Sequence, residues 1–116
     1  MLIETRAIGF ALTDGILRHV ESRLETALGP FARRILKATA RLEDVNADRG
    51  GVDKRCSVVV ALRRRGTVVA ESIHEDLYAA VDAVATRLRR SVKRAVKRAV
   101  ALERKDPQRP GALVAI

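Results

Sequence analysis

The spacing of apolar positions changes along this chain, and each change marks a new element. Residues 2–8, LIETRAI, mix apolar and polar positions; Ile3, Thr5 and Ile8 favour extended backbone and predict a first strand. After a connection at Gly9–Leu12, Thr13 offers a hydroxyl N-cap and Asp14 places negative charge in a first helical turn. Ile16, Val20, Leu24, Ala27 and Leu28 then recur at three- and four-residue spacing, which predicts a helix with one apolar stripe. Gly29-Pro30 is expected to end it, Gly as the C-terminal cap and Pro because it cannot continue a helix.

Residues 33–45, RRILKATARLEDV, alternate instead. Leu36, Ala38, Ala40 and Leu42 fall on one side, with Lys37, Thr39, Arg41 and Glu43 on the other, which predicts a half-buried strand with one wet face. Asn46 to Asp53 is rich in Gly, Asn and Asp and predicts a turn. Residues 54–64, KRCSVVVALRR, form a second alternating strand, with Cys56, Val58, Val60 and Leu62 facing one way. Arg65-Gly66 suits a tight hairpin, where Gly supplies positive φ, and residues 67–73 make the next strand. Three strands joined by short connections predict an antiparallel meander.

The longest element is residues 74–105. Ser72 and Glu75 have capping-box spacing, and Glu75 and Asp76 suit the positive end of a helix dipole. At about 100° per residue, Val81, Val84, Ala85, Leu88, Val92, Ala95, Val96 and Ala99 fall within roughly 120° of arc. The helix is expected to fray near Asp106-Pro107. The domain therefore spans residues 1–105, with residues 106–116 as a C-terminal tail. The order β-α-β-β-β-α, with one apolar stripe per helix and one apolar face per strand, predicts an α+β fold in two layers. Both helices cover one face of a four-stranded sheet.

Charge changes this picture more than composition does. The 116 residues suit a single domain, and 47% hydrophobic content suffices for a core. The net charge is +9, and nine Lys or Arg against one acid, Glu103, lie between Arg87 and Lys105. Nearly all the surplus charge thus sits on one helix, which points to a polyanionic partner: nucleic acid or an anionic membrane surface. A helix lying in a membrane surface presents Trp, Phe or Leu to lipid; this one presents Ala and Val, which suit close packing on a sheet. Aromatics are limited to Phe10, Phe31 and Tyr78, which argues against base stacking on several rings.

Arg63, Arg64 and Arg65, with Lys54 and Arg55, cluster near the hairpin, where they either extend the anion-binding surface or guard a sheet edge. The single cysteine, Cys56, excludes an intrachain disulfide, and its strand position predicts an inert core thiol. His74 is expected at a helix start, His19 as structural or exposed, and Tyr78 packed at the helix start. No Gly-rich phosphate loop and no nucleophile–base–acid set is visible, so no enzyme, cofactor, metal or small-molecule substrate is expected. With no signal-peptide pattern and no apolar run approaching the ~20 residues of a membrane span, a cytoplasmic protein is expected.

Several segments, in order, resemble the bacterial ribosome hibernation factors, the family of ribosome-associated inhibitors and hibernation-promoting factors. Leu12-Thr13-Asp14 followed by ILRHVESRL is similar to that family's first helix. GTVVAES followed by HEDLYAAVDAVATRLRRSVKR is similar to its last strand and second helix. The most specific part is residues 76–82, acid-Leu-Tyr-Ala-Ala-Val-Asp, then Arg87-Leu88-Arg89-Arg90 and the Lys/Arg run. The resemblance implies a β-α-β-β-β-α fold like that of double-stranded-RNA-binding domains. It also implies binding to the small ribosomal subunit near the decoding centre, blocking translation in idle ribosomes. Carried over by position, Arg87, Arg90, Lys93, Arg94 and Lys97 would contact ribosomal RNA, with Arg23 from the first helix. Arg89, Arg98, Arg63 and Arg65 are further candidates by charge. The alternative is a double-stranded RNA or DNA binder unconnected with ribosomes.

Overall fold

The alternating segments pair into one mixed sheet of order β1-β2-β3-β4. The computed structural model describes residues 1–45, 53–64 and 66–104 and the backbone of Lys105. Most of the expected turn at 46–53, Arg65 and the tail at 106–116 lie outside the described residues. The elements are β1 (Leu2–Ile8), α1 (Asp14–Leu28), a 3₁₀ helix (Gly29–Arg34), β2 (Ile35–Asp44), β3 (Lys54–Leu62), β4 (Thr67–His74) and α2 (Leu77–Lys105). The predicted meander is present: β2 pairs antiparallel with β3, and β3 with β4. β1 lies parallel to β2, with Ile3 opposite Ala38 and Ala7 opposite Leu42, so α1 is the crossover of a parallel βαβ unit.

Both helices cover one face, as the stripes require. α1 buries Ile16, Val20, Leu24, Ala27 and Leu28; α2 buries Ala80, Val81, Val84, Ala85, Leu88 and Val92. They meet Ala38, Ala40 and Leu42 of β2, Cys56, Val58 and Val60 of β3, and Val68 and Ala70 of β4. Each full-sized aliphatic side chain in this layer contributes roughly 1.5–3 kcal/mol by leaving water. The pairings climb together along the helices, Gly15 near Tyr78, Arg23 with Asp82 and Arg34 with Glu103, so α1 and α2 run the same way.

Four local expectations are corrected. Leu36 does not share the face of Ala38 but is 54% exposed, while Ile35 is buried. The ladder slips between Ile35 and Lys37, and this β-bulge turns one extra residue outward. α1 ends at Leu28 with Gly29 as its C-cap, as expected, but the chain continues as a 3₁₀ helix to Arg34, so β2 starts at Ile35 rather than residue 33. β3 stops at Leu62, before the arginine run.

Last, Ser72 does not cap α2. It lies in β4, where its buried hydroxyl donates to the Ala80 carbonyl, and the strand runs on to His74. The first turn is held by Asp76, whose carboxylate accepts from the Tyr78 N–H at 3.3 Å and whose carbonyl accepts from the Ala80 N–H at 3.0 Å.

Candidate nucleic-acid interface

A buried stripe fixes the rotation of α2, and that rotation fixes where its cations point. With Leu88 and Val92 wholly buried, Arg87, Arg89, Arg90, Lys93, Arg94, Lys97 and Arg98 are all exposed. Their spacing divides them. Arg87, Arg90 and Arg94 recur at helical intervals and line a groove of about 290 Å³ against Val69, Ala70 and Glu71 of the edge strand β4, with Ser91 between them. Lys97 stands on the back of the helix, opposite the buried stripe, and Lys93, eleven residues from Asp82, lies toward the α1-facing flank. Arg89 is seven residues from Asp82 and so shares the α1-facing flank.

The cations also differ in what they already hold. Arg87 donates through Nη1 to the Glu71 carbonyl at 2.6 Å, which ties α2 to the sheet edge. Arg89, Arg90, Lys93, Arg94, Lys97 and Arg98 form no ion pair among the described residues. Among the described residues no carboxylate pairs with them, and a helix with so few acids lacks the i,i+4 pairs that usually offset such crowding.

Several cations of the sheet are already held by acids. Lys37 meets Glu4 at 3.0 Å, Arg41 meets Glu43 at 3.6 Å and Arg55 meets Glu71 at 3.5 Å, all on the open sheet face. Lys54 lies 2.9 Å from Asp53 and 3.3 Å from Asp44. The hydrogen bond to Asp53 is the main reason its ammonium titrates above the ordinary lysine value. Lys37, Arg41 and Arg55 on the open face are thus held by acids, and so is Lys54, which lies at the end of β3 on the helix-covered side, so Lys54 and Arg55 are not free to extend an anion-binding surface.

The sequence of this two-layer domain matches the model of a known family. The model of the sigma 54 modulation protein / S30EA ribosomal protein family covers residues 3–99, from β1 into the later turns of α2. The chain belongs to that family.

S30EA-type proteins are not an enzyme family, and two solved structures share this fold. The N-terminal domain of Thermus thermophilus Protein Y is 30% identical, covers 81% of this chain and 98% of its own, and superposes with a TM-score of 0.67. A ribosomal subunit interface protein from Coxiella burnetii, 20% identical, covers 83% and 99% with a TM-score of 0.69 and confirms the fold alone. A curated relative, the chloroplastic ribosome-binding factor PSRP1 of Spinacia oleracea, is 25% identical over 84 residues, which is 71% of this chain. The chain spans only 28% of that relative's length.

Within this S30EA domain, the structure does not bring every candidate to one place. Arg23 of α1 lies 3.0 Å from Asp82, which also meets His19 Nε2 at 2.8 Å. Its charge is shared with an acid, and it joins the two helices beside Tyr78, whose ring stands edge-on to His19 at 4.9 Å. Arg63 is exposed at the other end of the sheet, against the 3₁₀ helix rather than the β4 groove. Arg65 lies outside the described residues.

Sequence reading missed the contribution of β4, and it missed Arg33 and Arg34 of the 3₁₀ helix, which come beside Arg63 and Arg64. A pair of adjacent arginines just before a strand was the available signal. Cys56 is buried, and burial pushes its thiol up to about 12, as befits an inert core group. Among the described residues no cluster of His, Cys, Asp and Glu could hold a metal ion, and no helix is long and apolar enough to cross a membrane.

Proposed function

We propose that this chain is a ribosome hibernation factor that binds the small subunit through the outward face of α2. Arg90, Lys93, Arg94, Lys97 and Arg98, with Arg87 and Arg89 at the flanks, neutralise ribosomal RNA phosphates near the decoding centre. The body of the domain then occupies the path of messenger and transfer RNA, and translation stops in idle, stressed or stationary-phase cells. The mechanism is steric and electrostatic and requires no cofactor; the site of action is the cytoplasm.

One observation carries this reading. Among the described residues Arg90, Lys93, Arg94, Lys97 and Arg98 of α2 form no ion pair, whereas Lys37, Arg41 and Arg55 on the open sheet face each meet a carboxylate, in a family with a relative named for ribosome binding. A sheet-backed helix holds such charges at fixed spacing, so little order is lost when phosphates bind. Phosphate contacts supply affinity and register without reading base sequence. The scarcity of aromatics in the chain fits that mode.

The test is co-sedimentation of the full chain with purified small subunits. Reversing Arg90, Lys93, Arg94 and Lys97 to Glu abolishes binding while the circular dichroism spectrum and thermal midpoint are retained. Unchanged co-sedimentation would sink the reading. Because phosphates do not name the polymer, competition by random duplex RNA separates a ribosomal target from generic duplex binding: a ribosomal factor stays on the subunits.

A further inference from the structure

A second arginine cluster lies under the later turns of α2, away from the β4 groove. The Arg63 N–H donates to the Arg34 carbonyl at 2.9 Å, and Ile35 stands opposite Leu62 across the ladder. These backbone constraints bring Arg33 and Arg34 of the 3₁₀ helix beside Arg63 and Arg64 of the hairpin, around an open cleft of about 380 Å³. The floor is apolar, made by Leu62 with Val96 and Ala99 of α2. The lining holds one acid, Glu103, and it is engaged: Arg34 donates to its two carboxylate oxygens at 3.1 and 3.3 Å.

The remaining arginines have no such partner. Arg33, Arg63 and Arg64 are exposed and form no ion pair among the described residues. The backbone holds them together against their mutual repulsion, which an anion would relieve. Phosphate matches the guanidinium fork. The apolar floor, half-buried at Leu62 and Val96, asks for more than phosphate. A planar base fits it, with the guanidinium of Arg34, fixed by Glu103, as a rigid edge of the site. The cleft lies within the size range of small-ligand sites, roughly 300–1,000 Å³.

We propose that this cleft binds a single nucleotide unit, its phosphate on Arg33, Arg63 and Arg64 and its base on Leu62, Val96 and Ala99. The occupant is a nucleotide unstacked from the RNA that lies along α2, so the proposal rests on the RNA-binding reading. It gives that reading a second point of attachment, on the opposite flank of the same helix. It also assigns Arg63 to a pocket rather than to a diffuse basic surface.

The test is an amide chemical-shift titration of the full chain with adenosine monophosphate, inorganic phosphate and a single-stranded RNA hexanucleotide. Adenosine monophosphate is expected to shift Arg33, Arg63, Arg64, Val96 and Ala99 together, and inorganic phosphate to bind at least about tenfold more weakly. The double substitution Arg63→Ala/Arg64→Ala lowers nucleotide affinity by about tenfold or more. A second variant, Arg90→Glu/Lys93→Glu/Lys97→Glu, leaves the cleft intact and its response to adenosine monophosphate unchanged, so failure of the helix reading is distinguishable from failure of the cleft. The hexanucleotide shifts the cleft and the outer face of α2 at once. Absence of cleft shifts with adenosine monophosphate, or an equal response to phosphate alone, overturns the proposal. Cleft shifts with the mononucleotide but not the hexanucleotide overturn the RNA source.

Discussion

Replacing Arg90, Lys93, Arg94 and Lys97 with alanine tests whether unpaired cations on a packed helix act as phosphate contacts. All four are exposed and hold no partner among the described residues, so their removal breaks no ion pair. Alanine is the best helix former, and exposed substitutions of this kind alter stability by only about 0.5 kcal/mol each. The fold should therefore persist and binding alone should change. If each side chain contacts one phosphate, the slope of log affinity against log salt becomes shallower by about 0.7–0.9 per residue, or about 3 for the set. Between 50 and 200 mM salt, wild-type binding should then fall about 50- to 150-fold more than that of the variant. The assay is fluorescence anisotropy with labelled small-subunit RNA at several salt concentrations. A control variant, Lys37→Ala/Arg41→Ala/Arg55→Ala, removes three cations that already face Glu4, Glu43 and Glu71. Its slope should match wild type. The reasoning is refuted if the helix variant keeps the wild-type slope, or if the control loses as much.

Further outcomes follow from packing and titration. Leu88→Ala empties a fully buried site between α2 and the sheet and should cost about 2–5 kcal/mol in urea unfolding. Ser72→Ala removes the buried hydrogen bond to the Ala80 carbonyl and should cost about 1–2 kcal/mol by the same measurement, and an unchanged unfolding midpoint would refute that role. Asp82→Asn weakens the hold on both Arg23 and His19; since these side chains are 27–48% exposed, the loss should be no more than about 1 kcal/mol. Cys56 supplies a pH test. Its folded pKa is raised from 9.0 to about 12, so between these values the unfolded chain gives up a proton that the folded chain keeps. Stability should fall as pH rises through that window, by up to about 1.4 kcal/mol per pH unit relative to Cys56→Ala, and a parallel pH dependence in the two proteins would refute the assignment.

The sequence by itself determined the order of elements and the faces they bury. Helical and strand periods are local geometry, so Ile16, Val20 and Leu24, or Val81, Val84 and Leu88, declare a common side without reference to the rest of the chain. The cationic helix was legible for the same reason: its apolar arc and its basic arc exclude one another. What only the tertiary structure decided were the relations between distant residues. The β2 register with β1 and β3 and the pairing of β3 with β4 set Lys37 against Glu4 and Arg55 against Glu71, silencing charges that looked as available as those of α2. A bulge at Ile35 exposed Leu36 against its alternation. Long-range packing moved Ser72 from a cap to a buried tie, and one backbone hydrogen bond gathered Arg33 and Arg34 with Arg63 and Arg64 into a cleft. A local pattern fixes which way a side chain points. Whether its charge is neutralised depends on what another part of the chain brings within about 4 Å, and no periodicity encodes that.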